Sequence, residues 1–148
     1  MQNLPTNYIE LNWLAKKDKD ISLPSIIFDD IDYGGCYYSP MHYEILIGEK
    51  FYPLDNGLIV INSMYSDNFI ENSIVHEWRH HWQVMNGYEL NIISWNTKSK
   101  MTYKQQIIEY FTKSSSELDA LIYSNKISPC DDTIEWYEWI LKQKKRLN

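Results

Sequence analysis

The sequence predicts a single α+β domain spanning residues 1–148. Three observations lead there. The apolar periodicity runs helical, then strand-like over three short runs, then helical again to the C-terminus. No repeat, low-complexity tract or linker divides the chain. A length of 148 residues fits one domain and can bury a proper core without disulfides.

Residues 6–18 read as a first helix, with Thr6 or Asn7 as N-cap and Ile9, Trp13 and Leu14 along one side. Pro24 closes that region. The run "SIIFDDIDY" (25–33) is β-branched and aromatic and reads as a strand, punctuated by Gly34-Gly35. "CYYSP" follows without an assignment. "HYEILIG" (42–48) alternates as a half-buried strand that includes His42. "YPLDNG" (52–57) has turn chemistry and "LIVIN" (58–62) forms another short strand. A helix over 69–86 comes next, with Asn68 and Glu71 at capping-box spacing and Gly87 where a helix end wants it. "ELNIISW" (89–95) fits no single period. Residues 103–112 and 115–125 look helical, with a break near the serines 114–116. After Pro129, "DDTIEWYEWILKQKKRL" makes a final amphipathic helix capped by Asp131 or Asp132. Its basic end, Lys142 to Arg146, opposes the negative end of the helix dipole.

The bulk properties exclude several classes. A net charge of −6 argues against direct nucleic-acid binding and against an anionic membrane surface. No apolar run approaches the ~20 residues of a membrane-spanning helix, and the first 20 residues do not read as a signal peptide. Cys36 and Cys130 are far apart and outside any CxxC spacing, so they read as small buried residues, reduced in a cytoplasm. Abundant Ile, Asn, Lys and Tyr are what AT-rich genomes produce, which suggests a bacteriophage or low-GC bacterial source. The expected location is cytoplasmic: a host cytoplasm, or a virion if phage-encoded.

Chemistry concentrates in "HEWRHH" (76–81). His76 and His80 are four residues apart, so on a helix both imidazoles stand on one face and can reach a single tetrahedral Zn²⁺. Glu77 is rotated by ~100° from His76, so it flanks the metal rather than binding it. A metal there brings a water's pKa to ~7, and the glutamate supplies the base; peptide hydrolysis at neutral pH needs both. Ile74, Trp78, Trp82 and Met85 form a stripe on roughly the opposite side, which anchors the helix in the core. His81 falls nearer that stripe and reads as a structural residue, or one that supports the ligands from behind, rather than as a ligand. Arg79 reads as solvated or salt-bridged.

With "HEWRH" as HExxH, "GLIVIN" before it and "GGCYYSP…YEILI" upstream, the chain resembles the zincin metallopeptidases. The resemblance implies a minimal zincin-like fold, with a small mixed sheet packed on helices that include the HExxH helix. It also implies a zinc cofactor, Glu77 as general base, and a protein or peptide substrate paired along an edge strand at 58–62. Metzincins need HExxHxxGxxH; here Gln83 and Asn86 occupy the glycine and third-histidine positions, which excludes that subclass. The gluzincin-like arrangement takes its third ligand, a glutamate, from a later helix, and "SSSELDALIYS" offers Glu117 in an ExxA context. Glu117 also fits a capping box with Ser114, and Glu109 is its rival as ligand. Asp119 reads either as a carboxylate orienting a ligand histidine or as helix surface. Tyr37, Tyr38, Tyr110 and Tyr123 are the candidate oxyanion donors, none favoured over the others. A competing reading is a zincin-fold protein that binds or assembles without catalysis, because so short a chain leaves little room for a substrate pocket.

Overall fold

The computed structural model describes residues 8–18, 21–31, 34–91 and 100–147. The expected N-cap at Thr6 or Asn7, the last two residues of the 25–33 run and residues 92–95 lie outside them. The order is α1 (Leu11–Lys17), β1 (Ser25–Asp29), β2 (Gly35–Tyr38), β3 (Glu44–Ile47), β4 (Lys50–Pro53), β5 (Leu58–Asn62), α2 (Asp67–Met85), α3 (Tyr103–Lys113), α4 (Ser115–Ile127) and α5 (Asp131–Leu147). The chain is therefore α+β, as the periodicities predict, with a small mixed sheet packed on helices. No helix among the described residues is long and apolar enough to cross a membrane.

β5 is the middle strand of the sheet β1-β5-β2. β1 pairs with it in parallel, Ser25 opposite Leu58 through Asp29 opposite Asn62. β2 pairs antiparallel, Gly35 opposite Ile61 through Tyr38 opposite Leu58. All five residues of β5 are buried because both faces are covered. Ile59 and Ile61 pack with Leu14 of α1 and Ile74 and Trp78 of α2, while Leu58 and Val60 pack with Leu54 and the β3–β4 hairpin. A strand covered on both faces needs an unbroken apolar run, which "LIVI" (58–61) supplies, while the buried Asn62 amide donates to the Ile31 carbonyl at 2.6 Å. This corrects one expectation. Residues 58–62 are not an edge strand, since backbone partners on both sides leave no free ladder for a substrate. The outer strand beside α2 is β2.

Two of the strands carry no clear signal in the sequence. β2 begins at a glycine pair and holds its extended form by pairing with β5. β4 pairs with β3 across a two-residue loop opened by Gly48 at φ 63°, so Tyr52 and Pro53 are strand and the tight turn lies at 54–57. His42 sits in a bend ahead of β3, exposed, rather than within the strand. α1 is shorter than the 6–18 expected.

α2 begins two residues earlier than expected. Its N-cap is Ser66, so the Asn68–Glu71 spacing is not the cap. Gly87 follows the helix at φ 83°, the left-handed position a helix end takes most cheaply with glycine. The predicted stripe is half right. Ile74 and Trp78 are fully buried, but Trp82 is half-buried over Arg79 and Met85 is 44 % exposed. The anchor is instead Ile70, Ile74, Val75 and Trp78, with the Trp78 indole N–H donating to Asp18 at 2.7 Å. α3 and α4 break at Ser114, which is extended (φ −122°, ψ 105°). α5 starts with Cys130 accepting the first helical bond. Asp131 and Asp132 therefore stand in its first turn, facing the positive end of the dipole, and do not cap it.

α4 lies antiparallel along α2. At one end Asn72 donates to the carbonyl of Ser128 (2.9 Å), and at the other Gln83 donates to the carbonyl of Ser116 (3.0 Å). Ile107, Phe111, Leu121 and Ile140 form a separate core among α3, α4 and α5. The first turn of α4 lies against the C-terminal half of α2.

Candidate metal centre

Three side chains meet where the first turn of α4 lies against α2. The ligating atoms of His76, His80 and Glu117 all lie within 4.8 Å of one another. His76 Nε2 is 3.5 Å from Glu117 Oε2, and His80 Nε2 contacts Glu117 Oε1 directly. The two imidazoles stand one helical turn apart, ring centroids 5.0 Å and planes at 79°. Such an edge-on pair aims two nitrogens at one point without bending the helix.

The structure brings Glu117, and not Glu109, to the two histidines. Ser114 does cap α4, its hydroxyl accepting from Glu117 N at 3.2 Å, but the Glu117 carboxylate turns away from the cap to the histidines. Its Oε2 also accepts from the Tyr110 hydroxyl at 2.6 Å. Burial alone pushes this carboxyl up; the hydrogen bonds and charges of His76 and His80 outweigh it and hold it well below the usual range. Glu109 stands apart, paired with Lys113 one turn on.

Glu77 is 7 % exposed and faces β2. A Cβ at Gly35 would stand 3.1 Å from Glu77 Cγ, so the glycine lets strand and carboxylate approach. Burial pushes the Glu77 carboxyl up and the Glu117 charge adds to this, opposed by the charges of His80 and His76. The result is a stronger base than a solvated glutamate.

The polar surroundings are wired to the histidines. His80 Nδ1 meets Gln83 Oε1 at 2.9 Å. Gln83 Nε2 donates to Asp119 Oδ2 at 2.8 Å, and Arg79 Nε donates to the same oxygen at 2.8 Å. Asp119 is therefore more than helix surface: it reaches His80 through Gln83. In the sequence Gln83 stands out only as one of the two residues, with Asn86, that break the metzincin pattern.

Compared with protein-family models, curated proteins and solved structures, the chain matches none. The site is therefore read on its own chemistry. Two imidazole nitrogens and a carboxylate oxygen, converging from two helices, are a donor set that fits a divalent metal and suits zinc. Of the four tyrosines weighed, Tyr110 touches the cluster, whereas Tyr37 bonds His81 (2.7 Å) and Tyr123 bonds Asp18 (2.6 Å). His81, fully buried, spans from Tyr37 to the Ser22 carbonyl (2.7 Å) as the structural residue the sequence predicts. Cys130 is buried as expected, while Cys36 is half-buried.

Proposed function

We propose that the chain is a zinc-dependent peptidase of the HExxH type, hydrolysing a protein or peptide substrate. One observation carries the reading: Glu117, 41 positions after His76, comes from another helix to meet His76 and His80, while Glu77 stands buried beside them. His76, His80 and Glu117 would hold the metal. A zinc ion there supplies Lewis acidity for a scissile carbonyl and for water. Glu77 would take the proton of the attacking water and pass it to the leaving amine; its buried carboxylate is suited to this by its raised basicity. Tyr110 keeps Glu117 turned toward the histidines. A substrate strand would pair with the outer edge of β2, whose Gly35 lies against Glu77, in place of the 58–62 run.

The test joins metal content with hydrolysis. Wild type should carry about one zinc per chain by mass spectrometry and cleave members of a peptide library. Glu77→Gln should keep its zinc and lose at least ~10²-fold in rate. A wild type that takes up no metal after reconstitution would end the reading, as would a Glu77→Gln variant of full activity for the role given to Glu77.

A further inference from the structure

Gln83 is 4 % exposed, and a buried amide must satisfy both its ends. Its Nε2 donates to the Ser116 carbonyl at 3.0 Å and to Asp119 Oδ2 at 2.8 Å. Neither partner can donate, so the amide has only one orientation, with Oε1 toward His80 Nδ1 at 2.9 Å. An amide oxygen only accepts. His80 must then keep a proton on Nδ1, which leaves Nε2, the nitrogen facing Glu117, as the atom that gives up its proton to a metal. The clamp is itself anchored. Arg79 holds Asp119 through Nε (2.8 Å) and Nη2 (3.4 Å), and its guanidinium is packed against the rings of Trp82 (3.8 Å) and Tyr123 (4.5 Å).

We propose that Gln83, clamped by Ser116 and Asp119, is the positioning residue of the metal centre, fixing the His80 ring so that Nε2 is its metal donor. The inference rests on the metal site of the peptidase reading and not on the peptide chemistry. Without the clamp the His80 ring can flip or exchange its proton between nitrogens, and only a fraction of molecules present the correct atom. The carboxylate behind the amide also makes the imidazole a better donor, an effect of the kind that outer hydrogen bonds exert on metal-bound histidines.

Two variants of the full chain separate positioning from packing. Gln83→Leu keeps the volume but removes the acceptor for Nδ1–H. Gln83→Glu keeps an acceptor there, while it loses the donor to Ser116 and sets a second carboxylate beside Asp119, so it should melt at a lower temperature than wild type. Zinc affinity is read by competition with a chromophoric chelator, and folding by thermal melts of the metal-free proteins. Gln83→Leu should bind zinc about 10–100-fold more weakly. Gln83→Glu should bind within about threefold of wild type, or more tightly, despite its lower melting temperature. Equal affinity in wild type and Gln83→Leu overturns the inference and leaves the peptidase reading standing. Affinity that follows melting temperature across the three proteins, with Gln83→Glu as weak as its stability, overturns it as well. Should Gln83→Leu fail to fold, Gln83→Glu decides alone. A wild type without zinc affinity removes the metal site and the inference with it.

Discussion

His80 and His81 are neighbours on one helix and do opposite things. His80 faces α4, where Glu117 meets its Nε2, while Gln83, one turn on along α2, meets its Nδ1. His81, rotated by one residue, faces the sheet and is locked between the Tyr37 hydroxyl and the Ser22 carbonyl in a fully buried place against Trp78. Their protonation follows their settings. Burial opposes charge on both. At His80, in the metal-free protein, the Glu117 hydrogen bond and the charges of Glu77 and Glu117 prevail and raise it to about 9. At His81 burial prevails and the imidazole is pushed down. Identical side chains one step apart are thus pushed in opposite directions, because each residue along a helix turns ~100° to a new environment. Residue type alone does not set an imidazole's surroundings; the face does.

The sharpest way to break that contrast is to remove each ring in turn. His80→Ala should abolish stoichiometric zinc binding, while His81→Leu should retain about one zinc per chain and lose about 1–3 kcal/mol of stability, because the Ser22 carbonyl and Tyr37 hydroxyl lose their partner. Metal content and denaturant melts read both. Zinc lost from His81→Leu with its fold intact would erase the distinction. A smaller effect is expected at the carboxylate. Tyr110→Phe keeps the ring and frees Glu117 Oε2, so zinc affinity should fall about tenfold with the melting temperature of the metal-free protein nearly unchanged. An unaltered affinity would make Tyr110 a packing residue.

The smallest effect lies in pH. His81 has its folded value below its ordinary 6.5, so its stabilising contribution is complete above about pH 6.5 and is lost as pH falls below it. His80, raised to about 9 without metal, contributes fully below about pH 6.5 and loses that contribution as pH rises through about 9. Metal-free His81→Leu, melted across this range, should therefore show a flatter acid side than wild type and the same alkaline decline. An acid side as steep as that of wild type would show that His81 is not the group being titrated.

The helices and the HExxH face were legible because they depend on local rules. Gly87, the i, i+4 histidines and the Ser114 cap are each readable within a few residues. β2 and β4 were not, since a four-residue strand with a glycine pair, or with a proline at its end, takes its form from the strand beside it. The Asn68–Glu71 spacing had the right chemistry two residues from the actual N-cap, Ser66. Trp82 and Met85 have the period of a core stripe, but Trp82 is half-buried under Arg79 and Tyr88 and Met85 is exposed.

The sequence by itself determined the α+β class, the helix that carries His76, Glu77 and His80 on and beside one face, and the capped start of the helix that carries Glu117. These follow from residue period and capping, which are local. Tertiary structure decided that β5 is central and β2 is the outer strand, that Glu117 rather than Glu109 meets the histidines, and that Gln83 links His80 to Asp119. Each of those depends on contacts between residues far apart in the chain, set by how α4 packs along α2 and by which strands find one another. No short window of sequence contains both partners of such a contact.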